Sequence, residues 1–177
     1  MPSLQLRNQT LHPELQYESK QFGTSIRFSP EILAHFETYR QQGHIKTEIG
    51  GQLFGEFIRN EIRVIRATGP NSADRHGGTW FKPNLGEHNI EIKRLFEQKL
   101  HFVGDWHTHP EPEPFPSSWD LESMEDCFRK SHHELKAFLM VIIGRQNFPK
   151  GMWVSLHGWD KWERLAFMQS SSPLKNF

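Results

Sequence analysis

Residues 135–144, LKAFLMVIIG, carry apolar side chains almost without interruption and without alternation. A strand with one wet face alternates apolar and polar residues. A strand that does not alternate must be covered on both faces and flanked by other strands. The run is also far short of the roughly 20 apolar residues that span a bilayer. It therefore predicts a central buried strand, and the rest of the chain must supply its neighbours and its cover.

Several segments can do so. FGTSIRFS (22–29) alternates enough for a strand. Ser29-Pro30-Glu31 then reads as a helix start, with Ser at the N-cap and Pro at the first helical position. Ile32, Leu33, Phe36 and Tyr39 recur at helical spacing, and the helix is expected to stop near Gly43. TEIGGQLFGEFI (47–58) reads as a strand interrupted by glycines, and EIRVIRATG (61–69) as its hairpin partner across Arg59-Asn60. Residues 70–84 form a long loop rich in Gly, Pro, Asn and Ser. A second helix is expected over 86–99 and a strand over 100–109.

PEPEPFP (110–116) cannot be regular structure, because its prolines lack N–H donors and bias their predecessors to extended geometry. Ser117 to about His132 reads as a third helix, and GMWVSLHGW with KWERLAFM as a closing hairpin. The fold expected is α/β (an α+β sandwich): a single mixed, mostly antiparallel sheet flanked by helices. Residues 1–21 are expected to form a loose N-terminal arm, 22–168 one domain, and 169–177 a flexible tail.

The 177 residues suit one domain that needs no disulfides, and Cys127 is the only cysteine. That composition fits a reducing cytoplasm. The 21 basic and 21 acidic residues balance, so net charge favours neither nucleic acid nor anionic membrane as a partner. The first 20 residues lack the apolar core of a signal peptide. The expectation is a cytoplasmic protein with no membrane and no nucleic-acid partner.

The chemistry starts at His107-Thr108-His109. On a strand, residues i and i+2 share a face, so two imidazoles project side by side. Alone, such a pair is often only solvated. Ser117-Ser118-Trp119-Asp120 follows the proline-rich stretch and matches a helix capping box. A helix start there could also turn Asp120 back towards the histidines. Two imidazoles and a carboxylate would leave zinc an open fourth position for water. A catalytic water needs a base, and the residues alone leave Glu48, Glu56 and Glu61 as rivals.

H-x-H, seven residues, then S-x-x-D resembles the motif of the JAB/MPN (JAMM) metalloproteases. The stretch Glu48-Ile49-Gly50-Gly51 resembles their upstream glutamate followed by paired small residues. The resemblance covers about residues 22–168. It implies that His107, His109 and Asp120 hold zinc, and that Glu48 is general base and then acid. It implies that Ser117 donates to the oxyanion. It also implies cleavage of isopeptide or peptide bonds after the C-terminus of a ubiquitin-like modifier, docked as an added strand. Residues 71–83, with Thr79, Trp80 and Phe81, are either the edge that meets that tail or a merely exposed loop. Within the family, the chain resembles the compact bacterial JAB peptidases of CBASS anti-phage operons. This implies a conjugated protein substrate with an extended tail, namely a CD-NTase released from conjugates made by ubiquitin-conjugating-type enzymes. A non-catalytic MPN scaffold and a RadC-like protein with a DNA-linked role are the alternatives.

Other polar residues take structural readings. His132 and His133 are expected at the end of the third helix, favouring its C-terminus. His12, His35, His44, His76, His88, His101 and His157 lack ligand spacing. Trp106 should point away from the histidines into the core. Cys127 is expected as a buried thiol, and Glu122 and Asp126 as solvated helix carboxylates.

Overall fold

The structure, a computed structural model, describes residues 13–40, 47–77 and 81–169. In chain order the elements are β1 (Leu15–Ser19), β2 (Thr24–Phe28), α1 (Pro30–Tyr39), β3 (Gly50–Ile58), β4 (Glu61–Ala67), β5 (Arg75–His76), β6 (Phe81–Lys82), α2 (Leu85–Glu97), β7 (His101–Thr108), α3 (Ser118–Lys130), β8 (Phe138–Ile143), β9 (Met152–His157), β10 (Trp162–Arg164) and β11 (Ala166–Met168). Nine strands form one mixed sheet in the order β10-β9-β8-β7-β3-β4-β2-β1-β11. The pairs β2–β4 and β7–β8 are parallel. The other pairs in that sheet are antiparallel.

β8 is the apolar run, buried at every position between β7 and β9. Its two faces meet different partners, which is why it does not alternate. Leu139, Val141 and Ile143 join Ile32, Leu33 and Phe36 of α1 in the main core. Phe138, Met140 and Ile142 face the other way, onto Met124 and Phe128 of α3. A smaller cluster of Phe54, Leu95 and Leu100 seats α2 on that same outer face. The result is a mixed α/β fold, with α1 on one face of the sheet and α2 and α3 on the other.

β7 carries the H-x-H pair, and its alternation orients the site. Trp106 points away from the histidines and is fully buried under α1. The rings of His35, Phe36 and Tyr39 lie 5.2, 5.4 and 5.8 Å from it. Its indole N–H donates to the Thr68 carbonyl at 2.8 Å. Two residues earlier, Gly104 lies against β8, where a Cβ would stand 1.8 Å from the Leu139 carbonyl oxygen.

Four sequence expectations need correction. Residues 15–19 are not a loose arm but β1, inserted between β2 and β11; residues 1–12 lie outside the described residues. The 70–84 segment is not all loop, because β5 and β6 pair as a short ribbon. Thr79 and Trp80 lie outside the described residues. The third helix stops at Lys130, so His132 and His133 lie beyond it. There His133 reaches back to the Phe128 carbonyl at 2.8 Å and accepts the Leu135 N–H at 3.1 Å. Finally, the closing hairpin does more than close. β10 pairs with β9, and after Leu165 the same strand moves to β1 at the opposite edge. The sheet thus curls until one segment, 162–168, joins both its edges.

Candidate metal centre

His107 is the penultimate residue of β7, on the α3 side. His109 lies just past the strand, yet its N–H still donates to the Ile143 carbonyl at 2.9 Å. That bond keeps the segment extended, so the two imidazoles stay on one face. Their Nε2 atoms are 3.2 Å apart. Asp120 comes from the first turn of α3. Its Oδ1 lies 3.4 Å from His107 Nε2 and its Oδ2 3.3 Å from His109 Nε2. Among the described residues, this is the group of His, Cys, Asp and Glu placed closely enough to hold a metal ion.

The shortest separations between the three residues are nearly equal, with Asp120 meeting each imidazole through a different oxygen. A tetrahedral ion with N and O ligands at about 2.0–2.1 Å sets its ligand atoms about 3.3 Å apart. The two imidazole nitrogens match that spacing, and Asp120 completes a donor set whose chemistry suits zinc.

The capping reading and the ligand geometry hold together. Ser117 caps α3, its Oγ accepting the Asp120 N–H at 3.2 Å. In return Asp120 Oδ2 accepts the Ser117 N–H and hydroxyl, both at 2.7 Å. The cap fixes the carboxylate that faces the histidines. It also occupies the Ser117 hydroxyl hydrogen, so donation to a substrate requires that hydroxyl to rotate, while the backbone N–H keeps its hold on Asp120.

Glu48 stands just before β3, with its Oε1 3.8 Å from His109 Nε2. Thr108, the middle residue of H-x-H, places it. The Thr108 N–H donates to the Ile49 carbonyl at 2.8 Å, and its Oγ1 accepts the Ile49 N–H at 3.2 Å. The Glu48 N–H donates to the Gly77 carbonyl at 3.1 Å. Glu48 is thus carried between β7 and the 70–84 segment. Its rivals Glu56 and Glu61 lie farther along the β3–β4 hairpin, and Glu61 is spent on Arg27 and Arg63.

Electrostatics separate the acids. Burial pushes the Glu48 carboxyl up to about 7, with Asp120 and Glu111 adding to the rise and His109 opposing it. Burial also raises Asp120, but hydrogen bonds from His107, His109 and Ser117 outweigh it and hold Asp120 well below the usual carboxylate range. Burial lowers His107. In His109 burial acts the same way, but Asp120, Glu48 and Glu111 reverse it. A permanently ionised Asp120 and a Glu48 poised near neutrality are therefore close neighbours with different chemistry.

Residues 32–157 match the family described as prokaryotic homologs of the JAB domain. The chain belongs to that family. Three curated relatives of this JAB domain are each named CD-NTase/cGAS isopeptidase. The one from Escherichia coli is 28% identical over 75% of this chain and 82% of its own. The one from Vibrio cholerae is 29% identical over 68% and 76%. The one from Pseudomonas aeruginosa is 29% identical over 69% and 78%. A solution structure of a Desulfitobacterium hafniense protein shares the fold, with a TM-score of 0.52 at 21% identity, covering 76% of this chain and 82% of that one.

Of the other described histidines of this JAB domain, His76 and His132 are exposed, and several of the rest serve packing or loop anchoring. His88 pairs with Asp74 at 3.1 Å and ties the 70–84 segment to α2. His157 accepts from or donates to Ser155 at 2.8 Å. Cys127 is half-buried, and burial pushes its thiol up to about 12, which suits packing and not nucleophilic attack. Glu122 and Asp126 are exposed, and Asp126 meets Lys130 at 2.6 Å. One residue near the ligands was missed in the sequence: Glu111, whose Oε2 lies 3.4 Å from His109 Nδ1. Among the described residues no helix is long and apolar enough to cross a membrane.

Proposed function

We propose that this JAB domain is a zinc-dependent isopeptidase or peptidase of the JAMM type. It hydrolyses the bond after the C-terminus of a ubiquitin-like modifier or a similarly conjugated protein. The observation that carries the reading is the convergence of His107, His109 and Asp120, whose donor atoms lie within 4.8 Å of one another, with the Glu48 carboxylate 3.8 Å from His109 Nε2. The name that the relatives share supports a CD-NTase as the conjugated substrate; a role in bacterial anti-phage defence in the cytoplasm is part of the same proposal.

His107, His109 and Asp120 would hold the zinc, which when bound supplies Lewis acidity towards a carbonyl and water. Glu48 takes the proton from the attacking water and returns it to the departing amine, a task its position beside the ligand His109 allows. Ser117 donates its hydroxyl to the developing oxyanion, leaving Asp120 to the backbone N–H that already binds it. The extended substrate tail adds as a strand beside the 71–83 segment.

The test is zinc content together with cleavage of a purified CD-NTase conjugate. Wild-type protein is expected to carry one zinc per chain and to release the CD-NTase. His109→Ala is expected to lose both, while stable zinc occupancy in His109→Ala would exclude the site. A scaffold role would show zinc without cleavage. Ser117→Ala is expected to lower kcat by about 10²–10³ and stability by about 1 kcal/mol. A kcat at the wild-type level would remove Ser117 from the oxyanion.

A further inference from the structure

A histidine ligand has two ring nitrogens on opposite sides, and its χ2 torsion is broad and two-fold. Something must decide which nitrogen meets the metal. In His109, Nε2 faces His107 and Asp120 at 3.2 and 3.3 Å. Nδ1 therefore points outward, and there it meets the Glu111 carboxylate at 3.4 Å. We propose that Glu111 is a positioning residue for the metal centre, holding the His109 ring with Nε2 turned towards the other two ligands. The proposal rests on the zinc reading above.

The loop around Glu111 is built to keep it there. The side chain is half in solvent, but the main chain is fixed. The Arg145 N–H donates to the Glu111 carbonyl, and the Gln146 N–H donates to the Pro112 carbonyl, both at 2.9 Å. Gly144 makes this docking feasible, because a Cβ there would stand 2.7 Å from each of those carbonyl oxygens. The proline-rich loop thus lies flush on the turn after β8, the strand whose Ile143 carbonyl also holds the His109 N–H. Ligand and positioning acid are referred to the same strand end.

The loop carries a control. Glu113 is exposed like Glu111 and alternates with the same prolines. Ion pairs to His109 are formed by Glu48, Glu111 and Asp120, and none with Glu113 is found among the described residues. A partner for the second ring nitrogen raises ligand basicity and fixes the tautomer, and its loss costs about 10–100-fold in metal affinity.

The experiment measures zinc affinity by competition against a chromophoric chelator, for wild type, Glu111→Ala, Glu111→Gln and Glu113→Ala. Melting of each metal-free protein is recorded alongside. Glu111→Ala is expected to bind zinc about 10–100-fold more weakly. Glu111→Gln, which keeps an oxygen acceptor, is expected to recover most of that loss, and Glu113→Ala to match wild type. All four metal-free proteins are expected to melt together, since Glu111 is exposed. Wild-type affinity in Glu111→Ala overturns the inference. So does an equal loss in Glu113→Ala, which would signal loop charge alone. If Glu111→Ala melts early, the glutamine variant decides, and affinity no better than that of the alanine variant is again fatal. Wild-type protein that binds no zinc defeats the zinc reading itself, and the inference falls with it.

Discussion

Glu48→Gln is expected to reduce cleavage by about 10²–10⁴ while leaving zinc content and thermal stability at wild-type values. The two carboxylates of the site make this separation feasible. Asp120 touches both imidazoles at 3.3–3.4 Å, whereas Glu48 approaches only His109, at 3.8 Å. Replacing its carboxylate by an amide of the same shape removes the proton acceptor and leaves the hooks from Thr108 intact. The same variant reads the titration. In the metal-free protein Glu48 ionises near pH 7, because burial disfavours its charged form. It is a neutral acid below that pH and a competent base above it. A dication beside it favours the charged form, so adding zinc should move the midpoint down. Infrared difference spectra between wild type and Glu48→Gln, with and without zinc, follow this carboxyl directly. Cleavage at the wild-type rate in Glu48→Gln would remove the residue from proton transfer.

The largest effect on the frame is expected at Gly104. There φ is +153°, and a Cβ would stand 1.8 Å from the Leu139 carbonyl oxygen and 2.6 Å from two further backbone atoms of Leu139. Backbone cannot move aside as a flexible side-chain end can. Gly104→Ala must therefore part β7 from β8 at a parallel pair that is buried on both faces. Disruptions of this kind cost roughly 4 kcal/mol or more, a large share of the 5–15 kcal/mol that holds a typical domain together. At about 2–4 °C per kcal/mol for a chain of this size, melting should fall by roughly 8–16 °C. His107 lies three residues along the same strand, so weakened zinc binding should accompany the loss. A variant that melts within a degree or two of wild type would show that the two strands have slack that the distances deny.

Much of this was legible because it is local. The apolar run from 138 to 143 has no polar face to hide, so its burial follows from composition. Alternation along β7 sends Trp106 one way and His107 with His109 the other, as period two requires. Ser117 and Asp120 announce a capping box by their spacing alone. What was not legible depends on partners distant in sequence. In β1, LQYES, only Leu15, Tyr17 and Ser19 are buried, and one of the three is polar. Nothing within those five residues indicates that residues 166–168 will pair with them. The move of segment 162–168 from one edge to the other is equally invisible, since strand propensity does not say which neighbour a strand will choose. Glu111 sits only two residues from His109, yet periodicity has no purchase on a loop of alternating prolines.

The joining of both sheet edges by one segment bears on how the chain is made. Tyr17 pairs with Phe167, 150 residues later. At ribosomal rates of about 5–20 residues per second, β1 waits roughly 8–30 s for the strand that covers it. During that interval it presents an open hydrogen-bonding edge. Glu48, His107, His109 and Asp120 all emerge earlier, so the candidate site is synthesised before the sheet that frames it can close. The nascent chain is thus expected to be most open to pairing with other chains after its chemistry is already encoded and before its last strand arrives.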